Sequence, residues 1–530
     1  MMQRLIKFFK KYQLSIFAGI LTGFSYIPFS PWAVLFCYAP LLLFIAKENV
    51  NFKEAFIAGW VSQFILTLIG FHWVAYTAHE FGHFPWSISI IALLLFCSFF
   101  HIYIPIALLM AMGLKRLCRL SPISFIFATS LVLAFMERIW PSIFAWNMGY
   151  TLLWAKWPIY HWADTIGFLG LSTLLFIFNA LIAASLQMQG KIKWGPAIFA
   201  VLIFLALNIS GHFRKQPWDA TDAELNFLAI QANIGNAEKI AAEKGQGFQG
   251  TIIQKFLDDS KKNLMRFPET DILIWPETAI PEYLDINLRD RFYARMLENG
   301  LQQIKKPLLT GSYSKEVKIA NRDRSVFNAL FLLDENGRPL SEPYRKTHLL
   351  AFGEYLPFTD TFPILLKWLD FIANFGRGDG PMLMTWNKSP DHFLHFGGQI
   401  CYEGLYPEFS RSLSLQGAHV LVNVTNDSWF GTTAEPYQHM IMTFGRAIET
   451  RRPLMRATNT GITSAIMANG EILDQSPLHQ EWAGSFKIKY QKSPPQTFYV
   501  LYGHWDWILW LILLMVLLIR GRKHAGITKS

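Results

Sequence analysis

Long apolar segments near both ends of this 530-residue chain constrain its fold more than any other feature. They recur from Leu14 to Ile209 and again from Trp507 to Ile519, whereas charged residues concentrate between Arg214 and Lys492. Charged side chains make up only 16% of the chain, against about 25% in average soluble proteins. Segments of this kind are typical of helices that span a bilayer. The sequence therefore predicts a membrane domain, then a soluble domain, then a final membrane helix.

We predict eight membrane-spanning helices. The predicted spans are Leu14–Ile27, Trp32–Ile45, Phe56–Ala75, Ile88–Leu114, Ser124–Phe135, Gly167–Leu186, Ile198–Ile209 and Trp507–Ile519. The basic N-terminus resembles a signal peptide, but no small-residue cleavage site follows, so the first span is predicted to remain in the protein. Gly19 and Gly23 have GxxxG spacing within it, which predicts close packing against another helix.

Positive charge is distributed unevenly among the loops between these spans. Both termini are basic, and so are the alternate loops Lys47–Lys53, Lys115–Arg119 and Lys191–Lys193. The positive-inside rule therefore places both termini in the cytoplasm and the soluble segment on the opposite side. These clusters contribute much of the net charge of +10, and the soluble part has no basic stripe with interleaved aromatics. We therefore expect no nucleic-acid partner.

The soluble segment alternates apolar strand-like runs with amphipathic helical patterns, which predicts an α/β domain with strands sandwiched by helices. A long insertion, Phe362–Met384, interrupts the alternation; its glycine-rich turn lacks the lysine of a phosphate-binding loop. The predicted strands are Leu225–Ile234, Ile272–Trp275, Pro307–Gly311, Val326–Leu333, Phe393–Cys401, Val420–Val424 and Ser464–Met467. The predicted helices are Phe248–Met265, Asn287–Ile304, Leu405–Leu415 and Gln438–Glu449.

Cys401 lies where a buried strand is predicted to turn sharply into a helix. At such a junction, amide dipoles favour a thiolate and backbone N–H groups can hold an oxyanion. A buried structural cysteine is the alternative interpretation. The other cysteines, Cys37, Cys97 and Cys118, lie in or beside predicted spans. No disulfide is therefore expected within the soluble domain.

Three other stretches could carry chemistry. Glu277 follows a strand that stops at Pro276, where it could act as a general base or simply cap a surface loop. Lys346 could stabilise a thiolate or an oxyanion, or could be an ordinary solvated lysine. Val422–Gly431 ends a strand in polar and aromatic residues, which fits either a site rim or a turn. No cluster has metal-ligand spacing.

The segment Trp140–Trp162, which is predicted to be an outer loop between spans, is rich in aromatic residues. Such residues commonly form an interfacial belt at the membrane surface. The alternative is an apolar floor beneath the soluble domain that helps to hold lipid chains.

The order Trp275-Pro276-Glu277, Tyr344-Arg345-Lys346 and Cys401-Tyr402-Glu403 resembles the nitrilase superfamily, whose catalytic set is Glu, Lys and Cys. Such a domain between a seventh and an eighth span resembles the bacterial apolipoprotein N-acyltransferase family along essentially the whole chain. Further matching motifs are Lys346 to Pro357, Asn426-Asp427-Ser428-Trp429-Phe430-Gly431, Gln438-His439, Arg446-Ala447-Ile448-Glu449 and Arg456-Ala457-Thr458-Asn459-Thr460-Gly461. The chain departs from the family pattern at Ala232, Gly235, Ile240, Ser428 and Ala329.

The resemblance implies a fold, a domain organisation and a set of site residues. It implies a multi-pass membrane domain at 1–212, a periplasmic nitrilase-like αββα sandwich at 220–493, an eighth helix at 505–520 and a cytoplasmic tail at 521–530. By resemblance, Glu277 is the proton acceptor, Lys346 the oxyanion stabiliser and Cys401 the nucleophile. Glu354, Tyr402 and Glu403 are the supporting residues.

The resemblance also implies a reaction in the bacterial inner membrane. A fatty acyl chain would pass from a membrane phospholipid, through a Cys401 thioester, to the α-amine of a diacylglyceryl-cysteine at an apolipoprotein N-terminus. No metal or other cofactor is implied. The alternatives are a membrane-anchored nitrilase-type amidase and, outside the enzymes, a transporter or lipoprotein chaperone. A transporter predicts ionisable residues inside the spans. Asp, Glu, Lys and Arg are absent from the predicted span cores; His72 and His101 lie within them and are expected to pack between helices.

Overall fold

The computed structural model describes residues 2–142, 144–190, 192–235, 247–285, 292–315, 326–351, 353–356, 359, 362, 375–389 and 392–527. Ile240 and most of the Phe362–Met384 insertion lie outside the described residues. The chain divides into two compact units. Unit 1 comprises Met1–Lys215, Thr433–Ile441 and Tyr502–Ser530, and unit 2 comprises Gln216–Thr432 and Met442–Leu501.

Unit 1 is helical, as predicted. Five segments of the described chain are long and apolar enough to cross a membrane: Phe52–Gly70, Trp86–Cys118, Pro122–Ile139, Pro158–Gln187 and Gly195–Trp218. The chain is therefore a multi-pass membrane protein. The α-helices are Met2–Gly23, Ala39–Ala46, Phe52–Gly70, Trp73–Glu80, Trp86–Phe99, Tyr103–Cys118, Pro122–Ile139, Tyr150–Trp154, Ala163–Gln187, Gly195–Arg214 and Asp506–Ile527.

The predicted number of eight spans is not confirmed. The predicted span Leu14–Ile27 belongs to helix Met2–Gly23, which also carries the basic N-terminal residues and is therefore less apolar as a whole. Within Trp32–Ile45 the helix begins only at Ala39, after a series of turns. Trp507–Ile519 lies in helix Asp506–Ile527, which continues into the basic tail.

Small residues and aromatic side chains pack the helices of unit 1. A Cβ atom at Gly19 would lie 2.6 Å from the carbonyl oxygen of Ser62, and one at Gly23 would lie 2.8 Å from Cβ of Ile69. The close packing predicted from the GxxxG spacing is therefore confirmed. From the aromatic segment Trp140–Trp162, Trp146 and Tyr150 are buried within unit 1. These two rings thus pack in the helical core.

Unit 2 contains two mixed sheets. The strands are β1 Ala223–Gln231, β2 Ile272–Ile274, β3 Ile280–Tyr283, β4 Leu308–Lys315, β5 Val326–Leu333, β6 Tyr344–Arg345, β7 Leu383–Ser389, β8 His392–Ile400, β9 Val420–Thr425, β10 Leu454–Thr458, β11 Ser464–Ile466 and β12 Trp482–Tyr490. The first sheet has seven strands in the order β12-β1-β2-β4-β5-β6, with β3 paired to β4, and the second has five in the order β11-β10-β9-β8-β7.

The two sheets face each other between outer layers of helices. Phe227 of β1 contacts Phe396 of β8, with ring centroids 6.0 Å apart. Gln231 at the end of β1 accepts hydrogen bonds from the hydroxyls of Thr458 and Thr463. The predicted αββα sandwich is therefore confirmed. The helices are Gln249–Leu264, Phe292–Ile304, Pro407–Leu415, Glu435–Thr450 (whose first residues lie in unit 1) and Phe498–Tyr502.

Local sequence explains the elements that lead to the site. β2 is a short apolar run that ends before Pro276, which has no backbone N–H to continue a ladder. β8 ends at Ile400, and a 3₁₀ turn over Cys401–Leu405 then leads into helix Pro407–Leu415. Proline at the first position of that helix is favourable because its missing N–H would have no helical partner. The strand, turn and helix predicted around Cys401 are confirmed.

Candidate active site

Cys401 has a backbone conformation that is uncommon for a residue with a side chain. Its φ angle is +53°, in the left-handed region, which costs a non-glycine residue about 1–3 kcal/mol. The side-chain amide of Asn423 donates to the Cys401 carbonyl oxygen at 3.1 Å. Cys401 is half-buried and forms no disulfide. The turn thus holds a free cysteine in a strained, defined position directly after β8.

Glu403 fixes this turn from inside. Its Oε2 atom accepts from the backbone N–H of Ile400 at 2.8 Å. Its Oε1 atom accepts from the Tyr344 hydroxyl at 2.5 Å and from the N–H groups of Thr347 and His348 at 2.7 and 3.0 Å. Glu403 therefore ties the turn after β8 to the segment after β6. It is fully buried and acts at the backbone of the turn.

Glu277 lies at the end of β2 and is almost completely buried. The surface-loop alternative for this residue is therefore wrong. Its Oε1 atom accepts from Nδ2 of Asn328 at 2.7 Å and from Nζ of Lys346 at 3.3 Å. The backbone of Glu277 and Thr278 packs directly against Gly311 of β4. A Cβ atom at Gly311 would lie 2.6 Å from Cα of Glu277 and 2.5 Å from N of Thr278, so only glycine leaves room for this contact.

Lys346 follows β6 and is only 1% exposed, so it is not a solvated lysine. Its Nζ atom lies between two carboxylates, donating to Oε1 of Glu354 at 2.8 Å as well as to Glu277. Glu354 is held in turn by the backbone N–H of Leu350, at 2.9 Å from Oε2. The Lys346 ammonium group thus lies between the two carboxylates and forms an ion pair with each. The three side chains make one ion-pair network.

Charges around Cys401 determine how its thiol ionises. Burial raises the pKa of the Cys401 thiol, Glu277 and Glu354 raise it further, and Lys346 opposes them. Burial lowers the pKa of Lys346, but Glu277 and Glu354 outweigh burial and raise it well above its ordinary value. Lys346 is therefore a permanent ammonium, and Cys401 rests as a neutral thiol until a base removes its proton.

Tyr402 is the last of the predicted site residues, and it packs among other rings. Tyr402 is buried, which raises its pKa, and its ring lies edge-on to that of Tyr406 with centroids 5.0 Å apart. His348 stacks on Tyr406 at 4.6 Å. The structure thus gathers Glu277, Lys346 and Glu354 in one hydrogen-bonded network, with Cys401 under the influence of their charges.

Comparison with known proteins identifies the family. The model described as "Apolipoprotein N-acyltransferase N-terminal domain" matches residues 18–181, and that described as "Carbon-nitrogen hydrolase" matches residues 220–484. An apolipoprotein N-acyltransferase of Bdellovibrio bacteriovorus is 52% identical over 100% of this chain and 98% of its own length. The chain belongs to the apolipoprotein N-acyltransferase family.

More distant members of this family also align along most of the chain. The apolipoprotein N-acyltransferase of Geobacter metallireducens is 29% identical over 93% of this chain and 92% of its own length. That of Pseudomonas paraeruginosa is 28% identical, covering 88% of each. Because the matches include the membrane segments, the amidase alternative, which needs only the carbon-nitrogen hydrolase domain, is not favoured.

Three further residues interact with the site, although none of them was singled out individually as a site residue from the sequence. Asn328 bridges Glu277 and Glu354, and Asn423 binds the Cys401 carbonyl. Arg456 orients Asn423 by donating to its Oδ1 atom at 2.7 Å. Each is a polar residue inside a mostly apolar strand, in β5, β9 and β10. That interruption was a usable signal, since a polar group in a buried strand requires a partner.

Proposed function

We propose that this chain transfers a fatty acyl group from a membrane phospholipid to the α-amino group of a diacylglyceryl-cysteine at an apolipoprotein N-terminus. The observation that carries the proposal is the Glu277, Lys346 and Glu354 network beside the strained, free Cys401, in a chain of this family. A cysteine nucleophile, a carboxylate base and a fixed cation are what covalent acyl transfer requires. Two membrane-borne substrates account for the apolar helices.

The first half-reaction forms a thioester. Glu277 takes the Cys401 proton as sulfur attacks the ester carbonyl of the phospholipid. Lys346 and the backbone N–H that follows Cys401 stabilise the oxyanion. The acyl C–O bond then breaks, and the lysophospholipid oxygen leaves with the proton from Glu277. Because burial and the two carboxylates keep Cys401 neutral at rest, proton removal accompanies attack.

The second half-reaction forms an amide. The α-amine of the diacylglyceryl-cysteine attacks the thioester carbonyl, and Lys346 again stabilises the oxyanion. Glu277 takes a proton from the amine and returns it to sulfur as the C–S bond breaks. Thioesters react with amines more readily than with water, and exclusion of water from the site favours transfer over hydrolysis.

We also propose an orientation in the bacterial inner membrane. The alternation of basic loops supports cytoplasmic termini and a periplasmic catalytic domain. Accordingly, the domain boundaries are proposed at 1–212, 220–493 and 505–520, with the tail at 521–530. The apolipoprotein would approach from the periplasmic side, where its lipid anchor resides in the bilayer.

The thioester is the step to test first. Purified protein is incubated with phospholipid but no acceptor, and intact mass spectrometry measures the mass of one added acyl chain. Hydroxylamine should remove the adduct, and a diacylated lipopeptide should discharge it with formation of an N-acylated product.

Matched cysteine variants assign the adduct to its residue. Cys401→Ala should abolish it, whereas Cys118→Ala should retain it, because Cys118 is buried in unit 1. Absence of the adduct in wild-type protein that still releases fatty acid from phospholipid would contradict the covalent mechanism.

A further inference from the structure

Asn328 occupies an unusual position between the two carboxylates of the site. Its Nδ2 atom donates to Oε1 of Glu277 at 2.7 Å and to Oε1 of Glu354 at 3.0 Å. Lys346 donates to the same two oxygen atoms. Two negatively charged groups are therefore held together by one cation and by both N–H bonds of one neutral amide.

The orientation of the Asn328 amide follows from these contacts. Carboxylate oxygens accept but do not donate, so a flipped amide would place Oδ1 against Glu277 and Glu354 and repel both. With the amide in the favourable orientation, Oδ1 is buried and has no hydrogen-bond partner among the residues that the structure describes. Asn328 thus leaves its own acceptor unsatisfied while both donors serve the carboxylates. Stability alone does not explain such a side chain, since a buried acceptor without a partner is unfavourable.

We propose that Asn328 is a positioning residue that holds the Glu277 carboxylate in place for proton transfer in the proposed reaction. The inference rests on the proposed role of Glu277 as the base. A hydrogen bond donated to a carboxylate favours its charged form, so removal of the Asn328 donors should shift the pH dependence of a reaction in which that carboxylate accepts a proton. The charged and titratable groups that face this cluster are Lys346, Glu354 and Cys401, with Glu403 acting on Lys346.

The pH dependence of Cys401 reactivity tests this role. Rates are measured from pH 5.5 to 9 for acyl-adduct formation from phospholipid and for alkylation of Cys401 by iodoacetamide, which needs the same proton removal but no lipid. In Asn328→Ala we expect the acid-side midpoint of both rates to rise by about one pH unit. The adduct rate at pH 7 should fall about tenfold or more. The half-saturating phospholipid concentration should not change, because Asn328 would not touch lipid.

Two further variants separate positioning from stability. Asn328→Ser keeps one donor, so it should shift the midpoint less, and it provides the measurement if Asn328→Ala does not fold. Asn459→Ala is the matched control: Asn459 is an equally buried asparagine whose amide bonds Ile234 and Asn426 and none of the site carboxylates. It should lower the thermal midpoint of unfolding and leave the pH midpoint unchanged.

The outcomes distinguish this inference from the proposed function. Wild-type pH midpoints in folded Asn328→Ala or Asn328→Ser, or an equal shift in Asn459→Ala, would overturn the positioning role. A shift in alkylation without any acyl adduct in wild type would support the positioning role and contradict the acyltransferase mechanism.

Discussion

Gly311 provides a sharp test of how the site depends on backbone packing. In Gly311→Ala the added Cβ would lie 2.5 Å from N of Thr278, 2.6 Å from Cα of Glu277 and 2.8 Å from O of Pro276. Ordinary contacts begin at 3.4 Å, so the strand end that carries Glu277 must move by roughly 0.6–0.9 Å. All three neighbours are backbone atoms, so no flexible side chain can absorb the movement.

The displacement should affect rate more than stability. Overpacking of this kind costs about 1–3 kcal/mol. A misplacement of about 1 Å at a reacting group can cost about 10²-fold in rate. We therefore expect thioester formation in Gly311→Ala to slow by about 10²-fold, measured as acyl-adduct mass against time.

A matched glycine variant makes the result decisive. Among the residues that the structure describes, none has an atom within 4 Å of a Cβ placed at Gly235, so Gly235→Ala should retain the wild-type rate. A folded Gly311→Ala protein with the wild-type rate of thioester formation would refute the argument that Glu277 must be held within a fraction of an ångström.

Two further predictions concern buried polar groups. Gln438→Leu removes a hydrogen-bond partner from the carbonyls of Ile27 and Gly70 and from the indole N–H of Trp73, which should lower the free energy of unfolding by at least about 3 kcal/mol. The exposed control Gln416→Leu should lower it by less than about 1 kcal/mol. Equal thermal midpoints of unfolding for the two variants would contradict this prediction. Burial raises the pKa of Glu403 from 4.5 to about 7, although Lys346 and its hydrogen bonds oppose the rise. Folding therefore favours the protonated form of Glu403 more than the unfolded chain does. This preference contributes about 3 kcal/mol to the free energy of unfolding at low pH, and the contribution is lost as pH rises from about 4.5 through 7. Glu403→Gln should lose this pH-dependent part of the stability. If the thermal midpoints of wild type and Glu403→Gln fall equally as pH rises, the prediction is wrong.

The sequence predicted the αββα layers and the candidate residues Glu277, Lys346 and Cys401, which the structure brings close together, but it did not predict the contacts that hold them. Glu277 and Cys401 could be found because reactive residue types follow apolar strands at recognisable breaks. Lys346 needed the resemblance to a family, since nothing local distinguishes a buried lysine from a solvated one. The membrane spans were harder still: Trp32–Ile45 is as apolar as a span, yet only its last residues are helical.

The partners of these supporting residues could not be predicted, because each contact joins residues that are far apart in the sequence. Asn328 and Glu277 are 51 residues apart, and Lys346 and Glu277 are 69 apart. The need for glycine at position 311 exists only because the chain after Pro276 crosses there. A candidate reactive residue can be recognised from its residue type and its place after an apolar strand. A residue that positions it shows in the sequence only as a polar or small residue within such a strand.

The charge balance of the site connects these supports to the proposed chemistry. Two carboxylates and one ammonium leave a net negative charge near Cys401, which disfavours a resting thiolate. A neutral thiol is a poor nucleophile, but it is also slow to oxidise, since oxidation proceeds through the thiolate. In the proposed mechanism, sulfur becomes reactive only when Glu277 takes its proton, so reactivity would depend on how well Asn328, Lys346 and Gly311 hold Glu277 in place. For a solitary cysteine proposed to face the periplasm, a base that activates it only during attack protects the nucleophile between turnovers.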